Sequence, residues 1–320
     1  MNLNPIRTVP RPTPGDLEAA AAVVAARLAP TPLISAPALG EDVRLKLETF
    51  QPTGSFKVRG ALAALSRVGA DRPVVTASAG NAGLGVAWAA AALGVPATVV
   101  VSETASPAKV AALQALPVTL VQHGAGYDEA EAHALELAAE GATYVSSYND
   151  TGVIAGQATI GRELEAQVPG PLTVVCPVGG GSLSSGLGLW AAGQNGARVV
   201  AVEAERSPAF SSALAAGAIV PIEVGETLAD GLGGNLEAGA VTFELVRDHV
   251  AAVATVSEPQ LEEAIRFLAR AHGLVAEGAG AAAVAGVMAG RVVREDGPLV
   301  VIVSGRNIAL PRLAAVLAGA

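Results

Sequence analysis

This chain contains almost no cysteine, and this scarcity excludes several classes of protein. The 320 residues contain one cysteine, Cys176, so the chain can form no internal disulfide and no cysteine-rich zinc site. Aromatic residues make up only 3% of the sequence and charged residues 15%. The 20 basic residues are outnumbered by 29 acidic ones, and the net charge of −9 argues against nucleic acid or an anionic membrane as the main partner.

Long hydrophobic runs are also missing. The longest run, residues 86–101, is shorter than the ~18–20 residues that span a bilayer, and Gly94 and Pro96 interrupt it. The N-terminal arm, residues 1–15, is rich in proline and lacks the apolar segment of a secretory signal. We therefore expect no membrane partner and a cytoplasmic location. The 51% of hydrophobic residues predict a folded core, and the length suits about two domains.

Short β-branched runs alternate with alanine-rich amphipathic runs along the chain. Residues 74–76 precede a helical pattern at 82–93, and residues 173–178 precede another that ends near Trp190. This alternation predicts an α/β, doubly wound fold in which helices cover both faces of parallel sheets. Ligands in such folds bind beyond the carboxyl ends of the strands. The first helix is expected to use Asp16 as its N-cap and to end near Ala29.

A glycine-rich turn follows one of the predicted strands. Gly179, Gly180 and Gly181 precede Ser182 and Leu183, which begin a predicted helix. Backbone N–H groups and the positive end of the helix dipole favour an anion there, most often a phosphate. The turn matches neither the dinucleotide-binding nor the nucleotide-triphosphate glycine pattern. An ordinary tight turn in a glycine-rich chain is the alternative.

Lysine is rare, and one lysine lies in a distinctive segment. Of the 20 basic residues only Lys46, Lys57 and Lys109 are lysine. Lys57 follows a Pro-Thr-Gly-Ser turn and Phe56, at the expected start of a helix. A helix N-terminus and apolar neighbours destabilise the charged amine and favour a nucleophile that can form a Schiff base. The alternative is an exposed lysine in a first helical turn.

Two further predicted strand ends carry polar residues. The segment Ser78-Ala79-Gly80-Asn81 offers backbone N–H groups and an amide to a substrate carboxylate, although Asn81 also suits the N-cap of the next helix. Ser304 follows the apolar strand 299–303, where its hydroxyl either faces a ligand or belongs to a structural turn.

Together these segments resemble the pyridoxal-phosphate enzymes of the tryptophan-synthase-β type of fold, in the branch of threonine/serine dehydratases and serine racemases. The resemblance extends from about residue 31 to residue 310. The segments that carry it are Thr31-Pro32-Leu33, Leu45-Lys46-Leu47-Glu48, GSFKVRGA around Lys57, SAGN at 78–81, Val153-Ile154-Ala155-Gly156-Gln157, VGGGSLSSG around Gly180, Ala229-Asp230-Gly231, Glu277-Gly278-Ala279-Gly280-Ala281 and SGRN at 304–307.

The resemblance implies a role for each candidate residue. Lys57 would hold pyridoxal 5'-phosphate as a Schiff base and, once the substrate amine has displaced it, remove the α-proton. A serine at the ring nitrogen favours loss of a β-substituent over transamination. The implied cofactor contacts are Gly179, Gly180, Gly181, Ser182 and Leu183 for the phosphate, Asn81 for the ring hydroxyl, Ser304 for the ring nitrogen and Phe56 against the ring; the implied substrate-carboxylate contacts are Ser78, Ala79, Gly80 and Asn81.

The same resemblance implies an architecture and an activity. A large cofactor-binding domain of residues 1–70 and 146–320 would carry a small inserted domain, residues 71–145, that closes over the site. A homodimer is expected. The expected reaction is the dehydration and deamination of L-threonine or L-serine to a 2-oxo acid and ammonia. The alternatives are β-elimination from another hydroxyamino acid such as hydroxyaspartate, a threonine synthase-like β-replacement, amino-acid racemisation, and ligand binding without catalysis.

Three departures from the family pattern refine these expectations. Ala79 stands where racemases carry a serine that reprotonates the substrate, which disfavours racemisation. Ala209 replaces an aspartate in the acidic segment after Glu203, so no metal is expected. Arg306 stands where glycine or alanine is usual, and it either faces solvent or reaches the site and selects an acidic or polar substrate side chain.

Overall fold

The computed structural model describes residues 7–295 and 297–319. Residues 1–6, part of the predicted N-terminal arm, and residues 296 and 320 of the predicted large domain lie outside the described residues. The described chain folds into strands and helices that alternate around two separate sheets. The predicted α/β class with parallel sheets is therefore confirmed.

The larger sheet has six strands in the order β1-β2-β10-β7-β8-β9, and the smaller has four in the order β5-β4-β3-β6. Strand β10 lies between β2 and β7 and is buried along its whole length. The strands are β1 (Leu33–Ser35), β2 (Val43–Leu47), β3 (Val74–Ala77), β4 (Ala97–Val101), β5 (Thr119–Gln122), β6 (Thr143–Tyr144), β7 (Leu172–Pro177), β8 (Ala197–Ala204), β9 (Ala252–Val256) and β10 (Leu299–Val303).

Helices connect the strands and cover the sheets. Most begin at a position where a small residue, proline or a side-chain cap ends the preceding loop. The α-helices are α1 (Pro14–Ala25), α2 (Lys57–Val68), α3 (Asn81–Leu93), α4 (Pro107–Gln114), α5 (Tyr127–Ala139), α6 (Thr151–Gln167), α7 (Ser182–Ala192), α8 (Ala209–Ala216), α9 (Val241–His249), α10 (Glu258–His272), α11 (Gly278–Met288) and α12 (Leu310–Ala318).

Two details differ from the sequence-based expectation. Strand β1 pairs antiparallel with β2, so the larger sheet is not wholly parallel. The prediction that Asp16 caps α1 is wrong: Thr13 is the N-cap, and its hydroxyl accepts from the backbone N–H of Asp16 at 3.2 Å. The Asp16 carboxylate accepts the backbone N–H of Thr13 at 2.8 Å in return, which completes a capping box. The helix ends at Ala25, before Ala29.

The smaller sheet lies entirely within residues 74–144. Its strands fall inside the segment 71–145 that was predicted to form an inserted domain, and that division stays a prediction. Helices α2 and α3 pack together through one apolar cluster that includes Val58, Leu62 and Val86. Among the described residues, no helix has both the length and the apolar character that crossing a bilayer requires.

Candidate active site

Lys57 is the first residue of α2 and lies beside the carboxyl end of β10. The backbone N–H of Phe56 donates to the carbonyl of Ser304 at 3.0 Å, which ties the start of α2 to the end of that strand. Lys57 Nζ donates to the carbonyl oxygen of Ser147 at 2.7 Å and lies 5.2 Å from the centroid of the Phe56 ring. Burial lowers the pKa of the amine from 10.5 to about 8, because the charged form loses hydration. Lys57 is thus a half-buried amine with substantial nucleophilic character.

The glycine-rich turn connects β7 to α7. Gly181 has a φ of +93°, a conformation that favours glycine. A Cβ atom at Gly179 would lie 2.8 Å from the Cα of Leu232, so the backbone approaches residue 232 too closely for a side chain. Ser182 and Leu183 form the first turn of α7 and are buried. Their N–H groups have no acceptor within the helix and lie at its positive end, which is the geometry of an anion site.

The segment Ser147-Tyr148 joins the lysine to the glycine turn, and sequence reasoning missed it. The carbonyl of Ser147 holds Lys57 Nζ, while the ring of Tyr148 occupies the space that a side chain at Gly180 would need. The Tyr148 hydroxyl accepts the backbone N–H of Glu237 at 2.8 Å. A main-chain carbonyl leaves no signature in the sequence. The nearest signal was the N-cap Asp150, which marks the start of α6.

Residues 78–80 form the turn between β3 and α3. The hydroxyl of Ser78 accepts the backbone N–H of Gly80 at 3.2 Å. Ser78, Ala79 and Gly80 are each partly exposed. An added Cβ at Gly80 would meet no atom within 4 Å, so this turn borders open space. The turn can therefore admit a ligand.

Asn81 is the first residue of α3, and its side chain caps no helix. Gly80 holds the N-cap position, so the N-cap interpretation of Asn81 is wrong. The Asn81 Nδ2 atom donates to Glu277 Oε1 at 2.6 Å, and its Oδ1 atom accepts from Asn307 Nδ2 at 2.6 Å. Both partners follow or flank elements of the larger sheet. The Asn81 amide therefore bridges the two sheets.

Glu277 is a buried carboxyl group at the start of α11, 6% exposed. Its pKa is raised from 4.5 to about 7, mainly by burial and to a smaller extent by nearby Asp230, while the hydrogen bond from Asn81 and the charge of Lys109 act in the opposite direction. The resemblance pointed to this residue only through the motif around Ala279. The structure places its carboxylate next to Gly305, where an added Cβ would overlap it.

Ser304 follows β10 and is 3% exposed. Its hydroxyl donates to the carbonyl of Ala279 at 3.5 Å, a distance at which a hydrogen bond is weak. The neighbouring Gly305 pairs with Ser55 in an isolated antiparallel bridge. Ser304 is therefore adjacent to the residue that pairs with the segment leading into Lys57, and its hydroxyl makes only this weak hydrogen bond.

Arg306 lies at the edge of a separate cavity. Its exposed side chain, together with Asn307, Thr53 and Trp88, lines a space of about 260 Å³. The backbone N–H of Arg306 donates to the carbonyl of Gly54 at 2.9 Å. The structure shows the Arg306 side chain exposed, which agrees with the first of the two interpretations, that it faces solvent. The residue lines the same cavity as Asn307, the partner of Asn81.

The acidic segment after β8 is already engaged by the backbone. Glu203 accepts the N–H groups of Phe210 and Ser211, each at 3.0 Å. Within the described ranges, no three histidine, cysteine, aspartate or glutamate side chains form a group that suits a metal ion. The expectation of no metal stays a prediction.

The arrangement can be compared with known proteins. A model of the family described as "Pyridoxal-phosphate dependent enzyme" matches residues 24–305. The chain belongs to this family. The predicted dependence on pyridoxal phosphate is thus confirmed.

Relatives and solved structures agree with this assignment. The L-threonine ammonia-lyase of Thermotoga maritima is 39% identical over 274 residues, which cover 84% of this chain and 68% of the relative. The processed form of threonine deaminase isoform 2 from Solanum lycopersicum superposes with a TM-score of 0.86 at 30% identity, covering 98% of this chain and 91% of that one. Maize serine racemase gives a TM-score of 0.87 at 28% identity, with 97% and 98% covered. The predicted fold is confirmed.

The residues present fit the cofactor of the family. A reactive aldehyde requires an amine that is partly unprotonated at neutral pH, and Lys57 has a pKa of about 8. A phosphate requires free N–H donors, which the first turn of α7 offers beside Gly181. The buried hydroxyl of Ser304, which is only weakly hydrogen-bonded, follows β10. In the larger sheet β10 lies between β2, which precedes the Lys57 segment, and β7, which precedes the glycine turn.

Proposed function

We propose that this chain is an ammonia-lyase that dehydrates and deaminates L-threonine or L-serine to a 2-oxo acid and ammonia. The observation that carries the proposal is the half-buried amine of Lys57, held at 2.7 Å from the Ser147 carbonyl. Tyr148, the next residue, packs on the glycine turn at the start of α7. The names of the relatives from Thermotoga maritima and Solanum lycopersicum support the same reaction class.

Each end of the site would hold a different part of the cofactor. Lys57 would hold the aldehyde through a Schiff base, with Phe56 against the ring. Asn81 would bind the ring hydroxyl and Ser304 the ring nitrogen. The phosphate would lie on the N–H groups of the turn into α7, at Gly179, Gly180, Gly181, Ser182 and Leu183.

The residues of the chain divide the work of the reaction. Bound pyridoxal phosphate supplies an electron-withdrawing ring that stabilises negative charge at the substrate's α-carbon. The turn of Ser78, Ala79, Gly80 and Asn81 would bind the substrate carboxylate and so orient the α-proton. Lys57, whose lowered pKa matches this task, would take that proton as general base. The Ser304 hydroxyl, which carries no charge, would leave the ring nitrogen neutral and favour departure of the β-hydroxyl.

The proposal extends to domain motion and assembly. Residues 71–145 would form a small domain that closes on the substrate and excludes water, while residues 1–70 and 146–320 form the large one. The turn at Gly80 follows β3 of the smaller sheet and borders open space, which leaves room for a substrate beneath such a domain. The resemblance supports a homodimer, and a cytoplasmic location stays a prediction. Size-exclusion chromatography with light scattering tests the dimer.

An amino-acid panel tests the reaction. The protein loaded with pyridoxal phosphate is incubated with hydroxyamino acids, and ammonia and 2-oxo acid are measured. Each of the two substrates, threonine and serine, should yield ammonia and 2-oxo acid in equimolar amounts. Lys57→Ala should yield neither product. Arg247→Ala, which removes an exposed arginine paired with Asp248 at 2.9 Å, serves as the control and should keep activity within about threefold. Activity of Lys57→Ala equal to that of the control would contradict the proposal.

Arg306 defines the competing substrate class. Its cavity adjoins Asn307, which bonds to Asn81, so an acidic hydroxyamino acid such as hydroxyaspartate belongs in the panel. If Arg306 selects substrates, Arg306→Ala lowers kcat/KM for hydroxyaspartate more than for threonine. Equal effects on both substrates would assign Arg306 to the surface alone.

A further inference from the structure

The Asn81 side chain is held at both ends by residues that flank α11 and β10. Glu277 lies at the start of α11, and Asn307 follows β10. Both contacts with Asn81 measure 2.6 Å, although the partners are separated from it by 196 and 226 positions in the chain. No local feature of α3 requires these contacts.

The orientation of the two amides follows from the hydrogen-bonding groups around them. One end of the Asn307 amide lies 2.8 Å from the carbonyl oxygen of Thr53, which only accepts, so that end is Nδ2. The same Nδ2 atom then donates to Asn81, whose facing atom is therefore Oδ1. The opposite end of Asn81 is Nδ2, and it faces the Glu277 carboxylate. Each donor in this series of hydrogen bonds therefore faces an acceptor.

Counting protons shows what remains free. The two N–H bonds of Asn307 are used by Thr53 and Asn81. Asn81 Nδ2 also has two N–H bonds, and Glu277 uses one. One N–H of Asn81 is left, in a partly buried residue at the start of α3, next to the turn of residues 78–80.

We propose that Glu277 and Asn307 are positioning residues that fix the orientation of the Asn81 amide, so that its remaining N–H is available to the ring oxygen of the cofactor. The inference rests on the cofactor site proposed above. Without Asn307, the Asn81 amide can rotate and present its oxygen to the ring oxygen, which repels it. Without Glu277, the amide loses the acceptor that holds Nδ2 in place.

The charge of Glu277 adds a pH dependence to this contact. The charged and titratable groups that act on its carboxyl are Asp230, which favours the neutral form, and Lys109, which favours the anion. These two residues also pair with each other at 2.9 Å. With its pKa at about 7, Glu277 binds a proton as the pH falls through neutrality, and the hydrogen bond from Asn81 then loses its charge assistance.

The spectrum of the bound cofactor tests the inference apart from activity. Its absorption bands distinguish the two protonation states of the ring oxygen and its conjugate nitrogen, so the band ratio is recorded from pH 6 to pH 9. Asn307→Ala and Glu277→Ala should change the ratio by about 2- to 10-fold, the range expected for one lost hydrogen bond. Glu277→Gln keeps an acceptor oxygen for Asn81 and should restore a near-normal ratio, without the pH-dependent step near 7.

The matched controls remove an amide–carboxylate contact elsewhere. Gln194 Nε2 donates to Glu165 Oε1 at 3.2 Å near the end of α7 that is remote from the glycine turn. Gln194→Ala and Glu165→Gln should leave the band ratio and its pH dependence unchanged. Asn307 is exposed, so Asn307→Ala carries the test even if Glu277→Ala does not fold.

The outcomes separate this inference from the proposed function. Unaltered protein that shows no cofactor band would overturn both. A normal band in the unaltered protein, with an unchanged band ratio in folded Asn307→Ala at every pH, would overturn the positioning role alone. A pH-dependent step that persists in Glu277→Gln would assign that step to another group.

Discussion

The lowered pKa of Lys57 makes the uptake of cofactor by the apoprotein depend on pH in a defined way. Only the unprotonated amine attacks an aldehyde. An ordinary lysine, with a pKa of 10.5, has about 0.03% free amine at pH 7, whereas a pKa of about 8 leaves about 9%. Burial of Lys57 therefore increases the reactive fraction about 300-fold at pH 7. The rate of uptake should rise from pH 6 and level off above pH 8.

A stopped-flow measurement follows this uptake. Apoprotein is mixed with pyridoxal phosphate between pH 6 and pH 10, and the growth of the near-visible band gives the rate. A model amine treated in parallel corrects for titration of the cofactor itself, and Lys57→Ala should show no covalent band. A rate that is still rising at pH 10, without levelling off, would refute the reasoning, since Lys57 would then behave as a hydrated amine.

The remaining predictions concern the glycine turn, the buried ion pairs and the substrate turn. Gly180→Ala places a methyl group against the Tyr148 ring, and dialysis should show cofactor affinity at least about tenfold weaker. Arg59→Met leaves the buried carboxylate of Glu48 without its 2.7 Å partner, so urea unfolding should show a loss of about 3–5 kcal/mol, and a loss below about 1 kcal/mol would contradict it. Ala79→Ser supplies a hydroxyl at the substrate turn, and chiral chromatography should detect more serine racemisation than the unaltered protein gives.

Local sequence patterns predicted most of the fold but few of the contacts across it. The β/α alternation placed α3 within one residue of its start and β7 within one residue at each end, because each pattern reports its own burial. The strand pattern also predicted that Ser304 would follow a buried strand, as it follows β10. The pairing of β1 with β2 was missed, because a three-residue edge strand carries little periodicity.

Site contacts between distant segments were beyond local patterns. Asparagine is a residue type that is typical of an N-cap, and nothing within α3 indicates that Glu277 and Asn307 are the partners of Asn81. The carbonyl of Ser147 is equally invisible, since every residue has one. The resemblance supplied what periodicity could not, namely which polar residues share one site.

The buried ion pairs of Arg59 explain what holds the Lys57 amine and the Ser147 carbonyl at a fixed separation. Arg59, two residues after Lys57 on α2, donates to Glu48 at 2.7 Å and to Glu163 on α6 at 2.6 Å. Ser147 lies just before α6, so the two helices that carry the contact of Lys57 are joined by a charged side chain with no exposed surface. Burying such a charge costs free energy that only well-formed pairs offset. Because any slide of α2 against α6 breaks those pairs, the position of the Lys57 backbone, and with it the reach of the amine, is set by α2 and α6 together.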